Sequence, residues 1–302
     1  MQGVQSEKYM SWRKPVACAA FLGLLIADTS YRAGLAEWRA KHESALKAED
    51  GWLAVAGLIW LTEGANAAGS DKWNNIVLPR GPAHAGVFEF RGGKTSFHAV
   101  PGVAVLLNGK PMTAATALTD DTNDSPDLVQ IAGLTMFVIH RGDRYGIRLK
   151  DPASKMRKEF TGLHWFPIDE HYRVSAKFVA YPKPRMIPIT NVLGETEPEA
   201  SPGYVEFALN GRSLRLDPVS EDNHLFFIFH DLTAGKETYA AGRFLYADKP
   251  KNGIVDLDFN KAENPPCTFT PYATCPLPPK ENRLPVRVEA GELNYGHHDP
   301  AH

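Results

Sequence analysis

The stretch Tyr204-Val205-Glu206-Phe207-Ala208-Leu209-Asn210-Gly211-Arg212-Ser213-Leu214-Arg215-Leu216 decides the fold class. Val205, Phe207 and Leu209 recur at every second position, as do Leu214 and Leu216. Period two places each set on one face of a β-strand. Between the sets, Asn210-Gly211 supplies the residue types that tolerate the positive φ of a tight hairpin turn. Outward from this pair, strands are predicted at Tyr172–Ala180, Leu225–Phe229, Gly242–Tyr246, Ile254–Phe259 and Leu284–Val288. An earlier set covers Val87–Arg91, Val103–Leu107, Leu128–Ile131, Thr135–His140 and Tyr145–Leu149, with a second hairpin turn at Asn108-Gly109. Each run is bounded by Gly, Pro, Asn or Asp, the turn formers. Gly92-Gly93-Lys94-Thr95 lacks the upstream glycine of a phosphate-binding loop and reads as a hairpin turn.

One helix stands out, Ser30 to Glu49, where Leu35, Trp38, His42 and Leu46 form a stripe at spacings of three and four. The nearly apolar run Trp52–Leu61 follows and is expected to be buried. The expected architecture is mostly β: an N-terminal helix over 28–50, a small β sandwich over 51–151, and a C-terminal antiparallel β barrel or sandwich over 161–295. Residues 296–302 are expected to fray. Twenty-three prolines and 25 glycines in 302 residues suit many short strands.

Composition narrows the classes of partner. A formal net charge of -2 gives no global field to attract nucleic acid or anionic membrane. Arg13 and Lys14 precede the uncharged run Pro15–Ala27, the pattern of a secretory leader. Residues 1–27 are therefore expected to be a signal peptide and the chain periplasmic or secreted, with cytoplasmic residence the alternative. The run is too short for a comfortable membrane span, so no stable span is expected after its removal. Cys267 and Cys275, eight positions apart across a Pro-rich loop, are expected to form a structural disulfide in an exported chain.

Signatures of nucleophile elbows, zinc proteases and dinucleotide folds are missing, and no cofactor or metal is called for. Asp120-Asp121-Thr122-Asn123-Asp124 has calcium-loop oxygens without the Gly and terminal Glu of such a loop, and reads as a solvated turn. Unusual polar residues concentrate from Tyr239 to Glu292. In an extended strand Asp256, Asp258 and Asn260 would share a face opposite Leu257 and Phe259. The candidate catalytic groups are Asp258, Glu292 and Arg243, the two carboxylates working as acid and base if burial separates their pKa values. Tyr239, Asn260 and Asn264 are the candidate ligand-binding groups. These residues suit a small-molecule-binding exported protein acting as a cofactor-independent hydrolase. The alternatives are a non-catalytic binding or structural module, with the same residues anchoring the Pro-rich loop, and a metal-dependent hydrolase using His164 and His171.

Asp258-Phe259-Asn260, Asn264-Pro265-Pro266-Cys267-Thr268-Phe269, Cys275-Pro276-Leu277-Pro278-Pro279, Glu281-Asn282-Arg283-Leu284 and Ala290-Gly291-Glu292 form a C-terminal signature. Gly51-Trp52-Leu53, Gly57-Leu58, Trp60-Leu61, Arg141, Gly146-Ile147-Arg148, Asp151, Thr238-Tyr239 and Gly242-Arg243 accompany it. Together they resemble the bacterial family catalogued as domain of unknown function 1684, over nearly everything from Tyr31 to Tyr295. The resemblance implies membership and carries over no activity, cofactor or catalytic residue.

Overall fold

The computed structural model describes residues 19–296 apart from 124 and 222, with side chains from residue 29 onward. The expected leader falls largely outside these described residues, as do all but the first of the tail residues 296–302. Among the described residues no helix is long and apolar enough to cross a membrane.

The helix runs Ala19–Leu46, three residues shorter at its end than the periodicity predicts. Leu35 and Leu46 are buried and Trp38 and His42 half-buried, as the stripe requires. Trp52–Ala54 then makes a 3-10 turn that leads into the strand Val55–Trp60.

Lys41–His302 makes up one compact unit in which mostly antiparallel sheets pair up. The first pair is a six-stranded sheet in the order Val55–Trp60, Arg144–Lys150, Leu134–Arg141, Val129–Ile131, Leu106–Leu107, Lys110–Pro111, and a five-stranded sheet centred on Gly64–Gly69, Gly86–Arg91 and Lys94–Ala99. Phe88, Phe97 and Ile76 from the second meet Met136, Val138, Ile147 and Leu149 from the first in one core. Complete removal of such side chains from water contributes about 1.5–3 kcal/mol each.

The second pair is a four-stranded sheet (Arg212–Leu216, Thr196–Leu209, Arg173–Thr190, Ile254–Asp258) and a three-stranded one (Val219–Glu221, His224–Phe229, Arg243–Asp248). Val205, Phe207, Leu209, Leu214 and Leu216, the residues of the opening stretch, share a core with Leu225, Phe227, Phe229 and Leu245. No closed barrel forms among the described residues; sheets face one another as in a sandwich. Leu284–Val288 is no strand, although Leu284, Val286 and Val288 are buried in that core.

Both Asn-Gly turns form, with φ of 51° and 76° at Asn108-Gly109 and 51° and 73° at Asn210-Gly211. The strands rooted at Arg173 and Leu209 are far longer than predicted and form an arm. Its tip reaches the Cys loop, where the Val192 N–H donates to the Cys275 carbonyl (3.0 Å) and the Leu277 N–H to Thr190 (2.7 Å). The arm also meets the first sheet pair, where Gly142 N–H donates to a Glu197 carboxylate oxygen at 3.0 Å.

Candidate functional site

A cavity of about 510 Å³ lies where both sheet pairs, the end of the helix and the Cys loop converge. Period two aims one wall. On the strand Arg144–Lys150, Ile147 and Leu149 enter the first core, so Arg148 projects from the opposite face, into the cavity. Arg141, at the end of the neighbouring strand, makes a bidentate pair with Asp121 (2.9 and 2.7 Å). Its Nε donates to Thr274 Oγ1 at 3.1 Å.

Arg148 is 4% exposed. Its Nη2 donates to Thr274 Oγ1 over a long 3.4 Å, and its guanidinium lies 5.2 Å from the Trp52 ring centre. Burial, and then the adjacent charge of Arg141, pulls it down to about 10, still cationic at neutral pH. A buried guanidinium without a carboxylate costs several kcal/mol unless something offsets it.

Another part of the lining is acidic. Glu263 is locked in place because its backbone exchanges both hydrogen bonds with Phe244 at 2.9 Å. Its carboxylate meets His42 Nδ1 at 3.3 Å, while His42 Nε2 lies 3.5 Å from Glu292. Burial raises the Glu263 carboxyl to about 7, against the opposing charge of His42 and with the help of Glu292. Burial alone would depress His42, but the Glu292 hydrogen bond and the charges of Glu263, Glu292 and Glu43 leave it above the ordinary histidine value. One imidazole is thus clamped between two carboxyl groups. Trp52, Phe226, Phe244 and Tyr246 supply apolar surface around these charges.

Glu292 is fully buried behind this wall and accepts from Asn264 N at 3.0 Å and Asn264 Nδ2 at 2.7 Å. Gly291 makes that approach feasible. It sits at φ 84°, and a Cβ there would lie 2.5 Å from the Ala262 carbonyl oxygen.

The sequence-predicted residues divide into two groups. Glu292, Asn264 and Cys275 belong to this cavity or back it. Arg243, Asp258 and Asn260 are turned to other partners. Arg243 is 1% exposed and donates to the Ala290 and Val288 carbonyls and to Asp231. Asp258 ends its strand and caps the following 3-10 turn, accepting from Asn260 N at 3.1 Å. Asn260 bonds the main chain of Asp169. The predicted polar face of three breaks at this point, since Asp256 stays outside, paired with Arg173, and the backbone leaves the strand before Asn260. Tyr239 is buried, which raises its hydroxyl to about 12 with the nearby Cys267 and Cys275 contributing.

The expected disulfide is replaced by two free thiols, Cys267 and Cys275. Each backbone N–H donates to the other's Sγ, at 3.1 and 3.4 Å. The metal alternative loses its ligands: His171 bonds Asn210 at 2.8 Å, and among the described residues no three His, Cys, Asp or Glu side chains gather as metal ligands.

His42, Glu263, Arg148 and Arg141 escaped the sequence reading of the site. A titratable residue within an otherwise apolar helix stripe was the signal for His42. Arg148 carried another, as a charge flanked by Ile147 and Leu149 in a strand.

Fold and cavity together define a mostly β protein with a charged, aromatic-lined cleft. Residues 158–293 match the family model described as protein of unknown function, DUF1684, and the chain belongs to that family. It is similar to an uncharacterized protein of Haloarcula marismortui solved by solution NMR, with 31% identity over 47% of this chain and 81% of the other and a TM-score of 0.40. No curated protein matches the chain.

Proposed function

We propose that the cleft is the small-molecule site of an acid–base enzyme, a hydrolase working through side chains. The observation that supports this is Glu263, a cavity-wall carboxyl raised to about 7 and bonded to His42. A carboxyl half-ionised at neutral pH can take a proton from water and return it to a leaving group, which is the range where general acid–base catalysis is most effective. His42 touches Glu263 directly, and Glu292 positions His42 from behind.

The second reading is a non-catalytic binding module. It is favoured by Glu292 and Asn264, whose mutual bonds also hold the start of the Pro-rich loop. The basic-then-apolar run at residues 13–27 supports export, which a reporter fusion to that segment tests by fractionation.

A thermal-shift screen of metabolites on the full chain, with product detection by mass spectrometry, separates the two. The enzyme reading expects a stabilising compound that is also turned over, with turnover falling about 10²–10⁴-fold in Glu263→Gln while stabilisation persists. Binding without turnover supports the module instead. Stabilisation untouched by both Glu263→Gln and Trp52→Ala places the site elsewhere and overturns the proposal.

A further inference from the structure

The cleft's basic wall has a charge that feels Asp121 only at a distance and has no direct ion pair. Arg141 is satisfied by Asp121, but Arg148 has no carboxylate within ion-pair distance among the described residues, and its buried Nε has no hydrogen-bond partner. Thr274 Oγ1 already accepts from both arginines, so its own proton is directed elsewhere. Of the carboxylates lining the cleft, Asp121 is held by Arg141, and Glu263 pairs with His42 and lies within the influence of Glu221. A buried, unpaired guanidinium fork beside a free hydroxyl donor matches a planar or tetrahedral oxyanion.

From this geometry we infer that the cleft takes an organic anion. Arg148, seconded by Arg141 and Thr274, binds a carboxylate or phosphate head, and an apolar or aromatic body lies against Trp52, Phe226 and Phe244. This rests on the small-molecule reading of the same cleft. A bound anion would supply the direct counter-ion that buried Arg148 lacks. Trp52 serves twice, stacking near the guanidinium and facing the ligand body. The oxyanion end is thereby fixed at Arg148, and the body or its linkage extends over the rest of the lining, Glu263 included.

Titration calorimetry on the full chain tests this with benzoate, phenyl phosphate, neutral benzamide and inorganic phosphate. The expected result is at least tenfold tighter binding of one or both aromatic oxyanions than of benzamide, with inorganic phosphate weaker than phenyl phosphate. Preference for benzoate assigns a carboxylate head, and preference for phenyl phosphate assigns a phosphate. Arg148→Gln should erase the preference, and Arg148→Lys should keep part of it, since charge survives but the fork does not. Should Arg148→Gln fail to fold by circular dichroism, Arg148→Lys and Thr274→Val decide, each expected to weaken the oxyanion at least threefold. Benzamide binding as tightly as the anions, or a preference untouched by these variants, overturns the inference. Oxyanion binding that persists in Glu263→Gln, with no turnover of any bound compound, sinks the catalytic reading and leaves this one. Turnover of neutral substrates without an oxyanion preference does the reverse.

Discussion

Glu263 and His42 both hold protons more tightly in the fold than an unfolded chain would. For Glu263 the shift runs from an ordinary 4.5 to about 7. Over that interval the native state binds more protons than the unfolded state, so stability falls as pH rises. His42 adds the same sign: its contribution is complete below the usual histidine value and is lost as pH climbs through the raised one. The full Glu263 shift corresponds to on the order of 3 kcal/mol. Glu263→Gln mimics the protonated acid, so urea unfolding should find it equal to the wild type below about pH 4, under the unfolded carboxyl value, and more stable at pH 8. A difference that is constant across pH would show that Glu263 titrates normally. Little of this was legible in the sequence. Glu263 sits among the quoted residues Asn260 and Asn264, yet nothing in its spacing announces burial. Its environment comes from His42, over two hundred positions away, and from the Phe244 backbone. Glu292 and Asn264 were singled out because unusual polar residues concentrate from Tyr239 to Glu292.

At the scale of elements, the approach of Gly291–Leu293 to His164–Phe166 and Ala262 builds the acidic wall. Gly291→Ala should cost on the order of 2–4 kcal/mol, from strained backbone and a clash with the Ala262 and Phe259 carbonyls. It should also displace Glu292, so the His42 imidazole resonances should titrate at lower pH in NMR. An unchanged His42 titration would show that Glu292 does not hold that proton. Strand identity was largely readable, because alternation and Asn-Gly turns are local signals. Strand length was not. The arm Arg173–Thr190 with Thr196–Leu209 was seen only at its root, since Pro182, Pro184, Pro188, Pro198 and Pro202 interrupt the pattern. Proline argues against a central strand, but these two strands extend beyond their sheet neighbours, where a missing N–H costs no ladder bond. Their pairing also shifts register between Ala180 and Arg185.

Across the whole molecule, the two sheet pairs have separate cores but a shared seam. Leu46, Leu53, Phe160 and Phe269 cluster together, Thr270 Oγ1 donates to the Val55 carbonyl at 3.3 Å, and Ser154 Oγ donates to Leu53. Trp52 packs on this cluster and on the one around Phe226 and Phe244. Such coupling predicts one cooperative transition for the full chain, with calorimetric and van't Hoff enthalpies in agreement. Two resolved transitions would mean that the seam is weaker than its contacts imply. Barrel closure was a reasonable expectation from strand number, but closure depends on edge pairings that no local pattern encodes.

The seam also divides the cleft's inheritance. Glu263, Glu292 and Asn264 lie inside the matched segment 158–293, whereas His42, Asp121, Arg141 and Arg148 precede it. A chain that shared only that segment would carry the acid without its imidazole clamp or its cationic wall. Substitutions in the earlier half would therefore alter the cationic wall while leaving Glu263, Glu292 and Asn264 in place, as a lock is rekeyed without replacing the bolt.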